Sequence, residues 1–294
     1  MTSSQAPAVP STEAPWRSAF VSHIESLKTP TFVLSTLHPV PPSEQKTPSS
    51  SIPVVPRART CIYRGLWACL PASSSNSAPL NPPVWESDLP TFTTDARMPK
   101  AADLVDTAAG AGGELSPGQT GGGGPVEAVW WVEESGTQWR VRGTAWVLGP
   151  DVDGEEGRRA REVIMRRMRR REPTGRGEGG GQEGWSWSRE VTAHFGNLAP
   201  GMRGSFRGPP PGLPITVPPE EGLGVGQEVD DLEDPVARRN FRVVVIVPDE
   251  VDQVEYKDPK KPRRWVYIYR GRSWQAKESG GEITGEWEKV EVWP

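Results

Sequence analysis

The sequence is poor in the residues that most often signal chemistry. It has two cysteines and three histidines in 294 residues. Cys61 and Cys69, if on one extended strand, would sit about 26 Å apart at ~3.3 Å per residue. A disulfide needs Cα atoms within about 7 Å. A bridge would therefore require a tight turn, with Gly65 the residue to make it. Free thiols in a reducing compartment are the expectation. His23, His38 and His194 are scattered, and no Cys/His spacing suggests a metal site. His23 falls on a predicted N-terminal helix, where a surface position is expected. No nucleophile–base arrangement stands out.

Long apolar runs are also missing. Nothing approaches the ~18 residues needed to span a membrane, and no charged start followed by an apolar stretch marks a signal peptide. A cytoplasmic protein is the default reading. The net charge is -4, so no global basic field draws in nucleic acid. Hydrophobic residues make up only 35% of the chain. Gly and Pro, 32 each, together approach the level at which much of a chain is irregular. One medium-sized domain with long loops is expected, not two full ones.

Residues 1–14 are small and polar and are expected to be disordered. Residues 15–28 predict a short helix, with Trp16, Phe20, Ile24 and Leu27 on one face. Strands are predicted at 31–39, 57–69, 89–95, 127–134, 138–149, 241–248, 251–256, 263–271 and 286–294. Ser135-Gly136-Thr137 reads as a hairpin turn. Arg140, Arg142 and Thr144 alternate with Trp139, Val141 and Gly143, the period of a sheet with one polar face. Helices are predicted at 101–109 and 188–197. Residues 40–53 read as a Pro/Ser linker. Gly/Pro-rich insertions are predicted at about 106–124, 151–187 and 207–236, the first as a flexible excursion over 110–124. The whole predicts a mainly β domain over residues 15–294, an antiparallel Greek-key barrel of six or more strands with peripheral helices.

Three glycine- or arginine-rich features are weak signals. Gly175-Arg176-Gly177-Glu178-Gly179-Gly180 matches a dinucleotide fingerprint but lacks the flanking strand and helix. The run at 121–124 lacks the Lys-Ser/Thr of a P-loop. Eight arginines fall between Arg158 and Arg171. They suit a nuclear-import or polyanion-binding patch, or a solvated helix held down by Val163, Ile164, Met165 and Met168. The solvated helix is the expectation.

Three strand-associated segments carry convergent donors: PRARTCIYR (56–64), FTTDARMPK (92–100) and TQWRVRG (137–143). A flavin phosphate needs two or more cationic or hydroxyl donors meeting at one point. The flavin ring needs backbone and amide donors with an apolar wall. Taken singly, each residue reads equally as an outward polar position on a sheet.

In order and spacing, the set resembles the pyridoxamine 5'-phosphate oxidase-like FMN-binding split-barrel family, and most closely its Alr4036-type subfamily. Pro15-Trp16, Thr94-Asp95, Arg97, Lys100, Gln138 and Arg140 carry that likeness, together with the final strands NFRVVVIVPDEVDQVEY, RRWVYIYRG and EWEKVEVWP. The resemblance implies FMN as cofactor, a homodimer with FMN at its interface, and a small-molecule substrate. It implies that Arg59 and Lys100 bind phosphate and that Thr60 and Cys61 offer backbone groups to the ring. Arg64 replaces a lysine near substrate and flavin. Thr93 and Thr94 cover ring and phosphate, and Arg97 matches the subfamily's own arginine. Gln138 matches a glutamine that reaches across the dimer, and Arg264 a late arginine that contacts the ring. Arg203 would face a substrate anion or form a surface ion pair.

Two departures limit the chemistry. Met98 stands where a serine is usual. Lys260 and Pro262 stand where an arginine and a histidine hold substrate in true pyridoxamine phosphate oxidases. The resemblance implies an FMN-dependent oxidoreductase of unassigned substrate. A non-catalytic FMN carrier and a ligand-free interaction module are the alternatives on the same fold.

Overall fold

A computed structural model describes residues 12–40, 54–108, 119–171, 184–271 and 280–294. The elements run α1 (Arg17–Glu25), β1 (Thr31–Pro39), β2 (Val54–Leu66), β3 (Trp85–Ser87), β4 (Pro90–Asp95), α2 (Pro99–Asp106), β5 (Gly121–Val132) and β6 (Thr137–Leu148). They continue with α3 (Arg158–Met165), β7 (Met168–Arg170), α4 (Trp187–Gly196), α5 (Pro200–Gly204), α6 (Pro235–Asn240), β8 (Phe241–Glu255), β9 (Arg263–Tyr269), β10 (Glu282–Thr284) and β11 (Trp287–Val292).

Nine strands form one antiparallel sheet in the order β10-β11-β9-β8-β4-β2-β1-β5-β6, and β8 also pairs with β6. That extra pairing closes six strands, β1, β2, β4, β5, β6 and β8, into a barrel. The predicted mainly β antiparallel barrel of six or more strands is the fold observed, with six strands in the closed ring. Strand β8 is long enough to do two jobs. Its first half pairs with β4 over Phe241–Val245, and its second half pairs with β9 over Glu250–Glu255. The two predicted strands at 241–248 and 251–256 are thus one strand. It is bent by a bulge where the pairing steps from Arg142–Glu250 to Gly143–Pro248. Gly143 is required there, since a Cβ would lie 2.0 Å from the Val247 carbonyl oxygen.

Alternation places Phe32, Leu34, Trp130, Trp139 and Val141 inside the barrel. One end is plugged by α1. Phe20 meets Trp130, Trp139 and Tyr63 edge-on at 5.1, 5.5 and 6.0 Å, a favoured ring arrangement. His23 lies on that helix and accepts a hydrogen bond from Trp139 Nε1 (3.1 Å), so it is not the free surface residue expected. The other end is capped by α2, which packs on β1 and β5.

A second apolar core lies outside the barrel. Helix α4 packs on β8, and α3 on β5, β6 and β7; the core they close holds Val243, Val245, Trp67, Trp146 and Phe241. Among the described residues, the outer face of β2, β1 and β5 has no such cover. Val33, Leu37 and Trp131 are exposed there, Trp131 to 53%.

Several expectations need correction. Gly121–Gly124 is not part of a flexible excursion; it begins β5 and is buried. A Cβ at Gly124 would lie 2.7 Å from Leu104 O of α2, so the small residues let helix and strand touch. Residues 109–118 lie outside the described residues, as do 41–53 of the linker and the fingerprint-like run at 175–180. The predicted disorder of 1–14 fails at its end, because Ala14 is 2% exposed and donates its N–H to Asp88 (2.8 Å). Residues 1–11 lie outside the described residues. The arginine-rich stretch is half helix and half strand, since Met168–Arg170 pairs with Trp85–Ser87. Its arginines are not all solvated. Arg169 is 4% exposed and bonds Asp88 and Glu86, and Arg167 stacks on Tyr269 at 3.3 Å.

Candidate functional site

Strand β2 carries the key side chains alternately. Cys61 and Arg59 are in register with Phe32 and Leu34, so they point into the barrel. Near the α2 end Arg59 donates to Thr36 Oγ1 (2.8 Å) and to Leu34 O (3.3 Å). It also approaches Asp103 of α2 at 3.5 Å. Asp103 accepts from Thr36 (2.8 Å) and contacts His38 Nδ1 (2.7 Å).

Lys100 opens α2 and points into the same region. It is 8% exposed, and its one hydrogen bond among the described residues is to Thr94 Oγ1 (3.0 Å). No carboxylate lies within ion-pair distance of it among the described residues. Burial pushes its ammonium below the usual pKa, the Cys61 thiol opposing this and Arg59 adding to it. Burial likewise pushes the Cys61 thiol up, with Lys100 and Arg59 pulling it back. Arg59, Cys61, Thr94 and Lys100 therefore form one group under α2. The first turn of that helix has no side-chain cap, because Met98 occupies the capping position.

Beside this group the barrel opens. Pairing between β2 and β4 runs only from Leu66–Pro90 to Tyr63–Phe92. Tyr63 donates its N–H toward Pro30 (2.8 Å). Strand alternation then aims the backbone groups of Thr60 at the β4 side, beyond the last pair. Cys61 faces β1 instead, so of the two expected backbone donors only Thr60 looks into the gap. Thr93 sits on the outer side of β4, half-buried and in register with Val243.

The other predicted residues lie elsewhere. Arg97 chelates Asp95 (2.9 and 2.6 Å) and donates to Gly208 O (3.0 Å), which ties the 206–208 segment to β4. Gln138 is on the outer face of β6, in register with Trp131 and Val254. Arg264 of β9 shares Asp252 with Arg140 (Arg264 Nη2 to Asp252, 2.7 Å). Three strand spacings separate this group from Arg59. Arg64 lies beyond the α1 end, half-buried, and its Nε has no partner. Arg203 is 6% exposed with an unpartnered Nε, so it is no surface ion pair. Lys260 is exposed and Pro262 leads into β9.

Asp103, Thr36 and His38 had not been singled out as site residues. Signals for them exist. Asp103 follows Lys100 by three residues, one helical turn. Thr36 and His38 share the strand face of Leu34. Both cysteines are free, as expected.

The family model for the pyridoxamine 5'-phosphate oxidase FMN-binding domain matches residues 13–149. A solved pyridoxamine 5'-phosphate oxidase-related, FMN binding protein from Nostoc punctiforme PCC 73102 aligns over 97% of this chain and all of its own. The identity is 16% and the TM-score 0.52. PhzG from Burkholderia lata 383, in complex with tetrahydrophenazine-1-carboxylic acid, aligns over 94% of this chain and 87% of its own. At 12% identity and a TM-score of 0.38 that likeness is loose. No curated protein matches the chain. The fold is that of the FMN-binding protein from Nostoc, and the matched family domain contains Arg59, Thr94, Lys100 and Gln138.

Proposed function

We propose that this chain binds FMN and works as an FMN-dependent oxidoreductase, with the phosphate seated at Arg59, Thr94 and Lys100. The observation that carries this reading is the Lys100 ammonium, buried beside Arg59 with a hydroxyl as its one partner among the described residues. Burying a cation without an anion is costly. A phosphate between the two side chains removes that cost through charge-assisted hydrogen bonds. The first turn of α2 has no side-chain cap, so the positive end of its dipole is open to an anion.

The fit extends to the ring end. Thr60 offers backbone groups on the open flank of β2, and Thr93 adds a hydroxyl across the gap. When bound, FMN supplies the redox chemistry, and the protein supplies position and charge. Gln138 and Arg264 are too far round the barrel to meet Arg59 within one chain. They can join the site from a second copy. The bare face of Val33, Leu37 and Trp131 suits such a dimer, since exposed apolar patches mark interfaces. Oxidation of pyridoxamine phosphate itself is not part of the reading, because proline at 262 neither donates nor takes a proton.

FMN titration followed by flavin fluorescence tests the site. Arg59→Ala and Lys100→Ala should each weaken binding by about 10- to 150-fold, the loss of one charge-assisted contact worth about 1.5–3 kcal/mol. Unchanged affinity in both variants moves the phosphate elsewhere. If the wild type takes up no FMN, the reading fails. Anaerobic bleaching of bound FMN by NADPH or an amine separates an oxidoreductase from a carrier.

A further inference from the structure

A cavity of about 580 Å³ lies between α1, the C-terminal end of β2, residues 65–83 and α4. That volume is typical of small-molecule sites. It is distinct from the Arg59–Lys100 group. Arg64, which lines it, is five residues further along β2, about 16 Å at ~3.3 Å per residue.

The charges around the cavity are mostly settled. Arg17 is paired with Glu13 (2.7 Å) and Asp88 (3.0 Å). Arg171 leans on Glu86 at 3.6 Å. Glu25 is exposed at the margin. Glu190 is buried and accepts from Asn81 Nδ2 (2.8 Å) and from the backbone of Ala68. Arg64 is the exception. It has no hydrogen bond or ion pair among the described residues, and its Nε is buried without a partner. The cavity lining is mixed, with Leu70, Leu80, Pro82 and Trp185 as the apolar part and Asn81 and Asn197 as neutral polar groups. Ala68, also in the lining, holds φ at +60°. A left-handed alanine is strained, and such strain persists where the surroundings enforce it. Here the Glu190 carboxylate grips that turn.

We propose that this cavity binds a small, flat organic carboxylate, with Arg64 as its counter-ion. One unpaired guanidinium matches one negative charge, and its planar fork matches the two oxygens of a carboxylate. The apolar part of the lining, proline, leucine and tryptophan, then accepts a flat body. The inference does not rest on the flavin reading, although Arg64 was first singled out with it.

Benzoate and its neutral analogue benzamide are suitable probes for the purified full-length chain, read by calorimetry and by tryptophan fluorescence. Benzoate should saturate at least about tenfold more tightly than benzamide, as one charge-assisted contact implies. Arg64→Met should abolish that preference. Leu80→Trp, which fills the mouth from a position 50% exposed, should weaken benzoate at least as much and leave FMN uptake at the wild-type level. Equal binding of the two probes, or no saturation by either, overturns the proposal. So does an undiminished benzoate preference in Arg64→Met. Loss of FMN uptake in Leu80→Trp would make the cavity part of the flavin site and overturn its independence. If Arg64→Met does not fold, the probe pair and Leu80→Trp still decide the matter.

Discussion

His194 should make the fold acid-sensitive in a way that one substitution removes. Its ring is 1% exposed and stacks on Trp67 at 5.8 Å, and neither nitrogen has a hydrogen-bond partner among the described residues. Burial first, and then nearby Arg64, lower its pKa from 6.5 to about 3. Between those values the unfolded chain binds a proton at this residue and the folded chain does not. Stability therefore falls as pH drops below about 6.5, at up to about 1.4 kcal/mol per pH unit. From about pH 7 to about pH 5 the loss is about 2 kcal/mol. Glu190, 4.0 Å away, opposes this, because burial raises its pKa and protonation then favours the folded state. The two are separated by comparing urea unfolding of the wild type with His194→Phe across that range. Phenylalanine keeps a ring on Trp67, leaves Glu190 in place and cannot titrate. The wild type minus variant difference should fall by about 2 kcal/mol on acidification. A difference flat to within about 0.5 kcal/mol would refute a buried neutral histidine.

Other outcomes follow from the same structure. Met98→Ser should stabilise the chain by about 1 kcal/mol in urea unfolding, since it supplies the missing N-cap of α2. Gly143→Ala should destabilise by about 1–3 kcal/mol, because its Cβ meets backbone rather than a movable side chain. If the bare sheet face is a dimer interface, Trp131→Glu should shift light scattering from dimer to monomer. A wild type that is monomeric at micromolar concentration would rule out the shared flavin site.

Much of the barrel was legible because its strands alternate and its turns carry glycine. Trp139, Val141 and Ala145 face inward as their period requires. What escaped was set by distant partners. Gly121–Gly124 carries no strand signal of its own; it joins β5 by pairing with Ala145–Val147 of β6, where Leu104 and Trp146 leave no room for a Cβ. The second half of the arginine stretch is a strand because Trp85–Ser87 offers an edge 83 positions away. The site divides the same way. The family resemblance named Arg59, Thr94 and Lys100, which the fold brings together. It could not tell that Arg97 is engaged by Asp95, or that Arg64 faces a different cavity. Those outcomes depend on neighbours supplied by other elements.

The double duty of β8 bears on how the chain comes to be folded at all. Strands β4 and β6 are complete by residue 148, yet the strand that closes them begins at Phe241. A growing chain must therefore carry two open sheet edges, and a bare tryptophan-bearing face, for about ninety further residues of synthesis. Open edges invite pairing with other chains, and closure over such sequence separation is slow. The portion matched by the family domain, 13–149, ends before the barrel can shut. Expressed alone, it would leave the open edges of β4 and β6 with no partner except another copy of itself. Heterologous production of this protein should depend on delivering β8 in time.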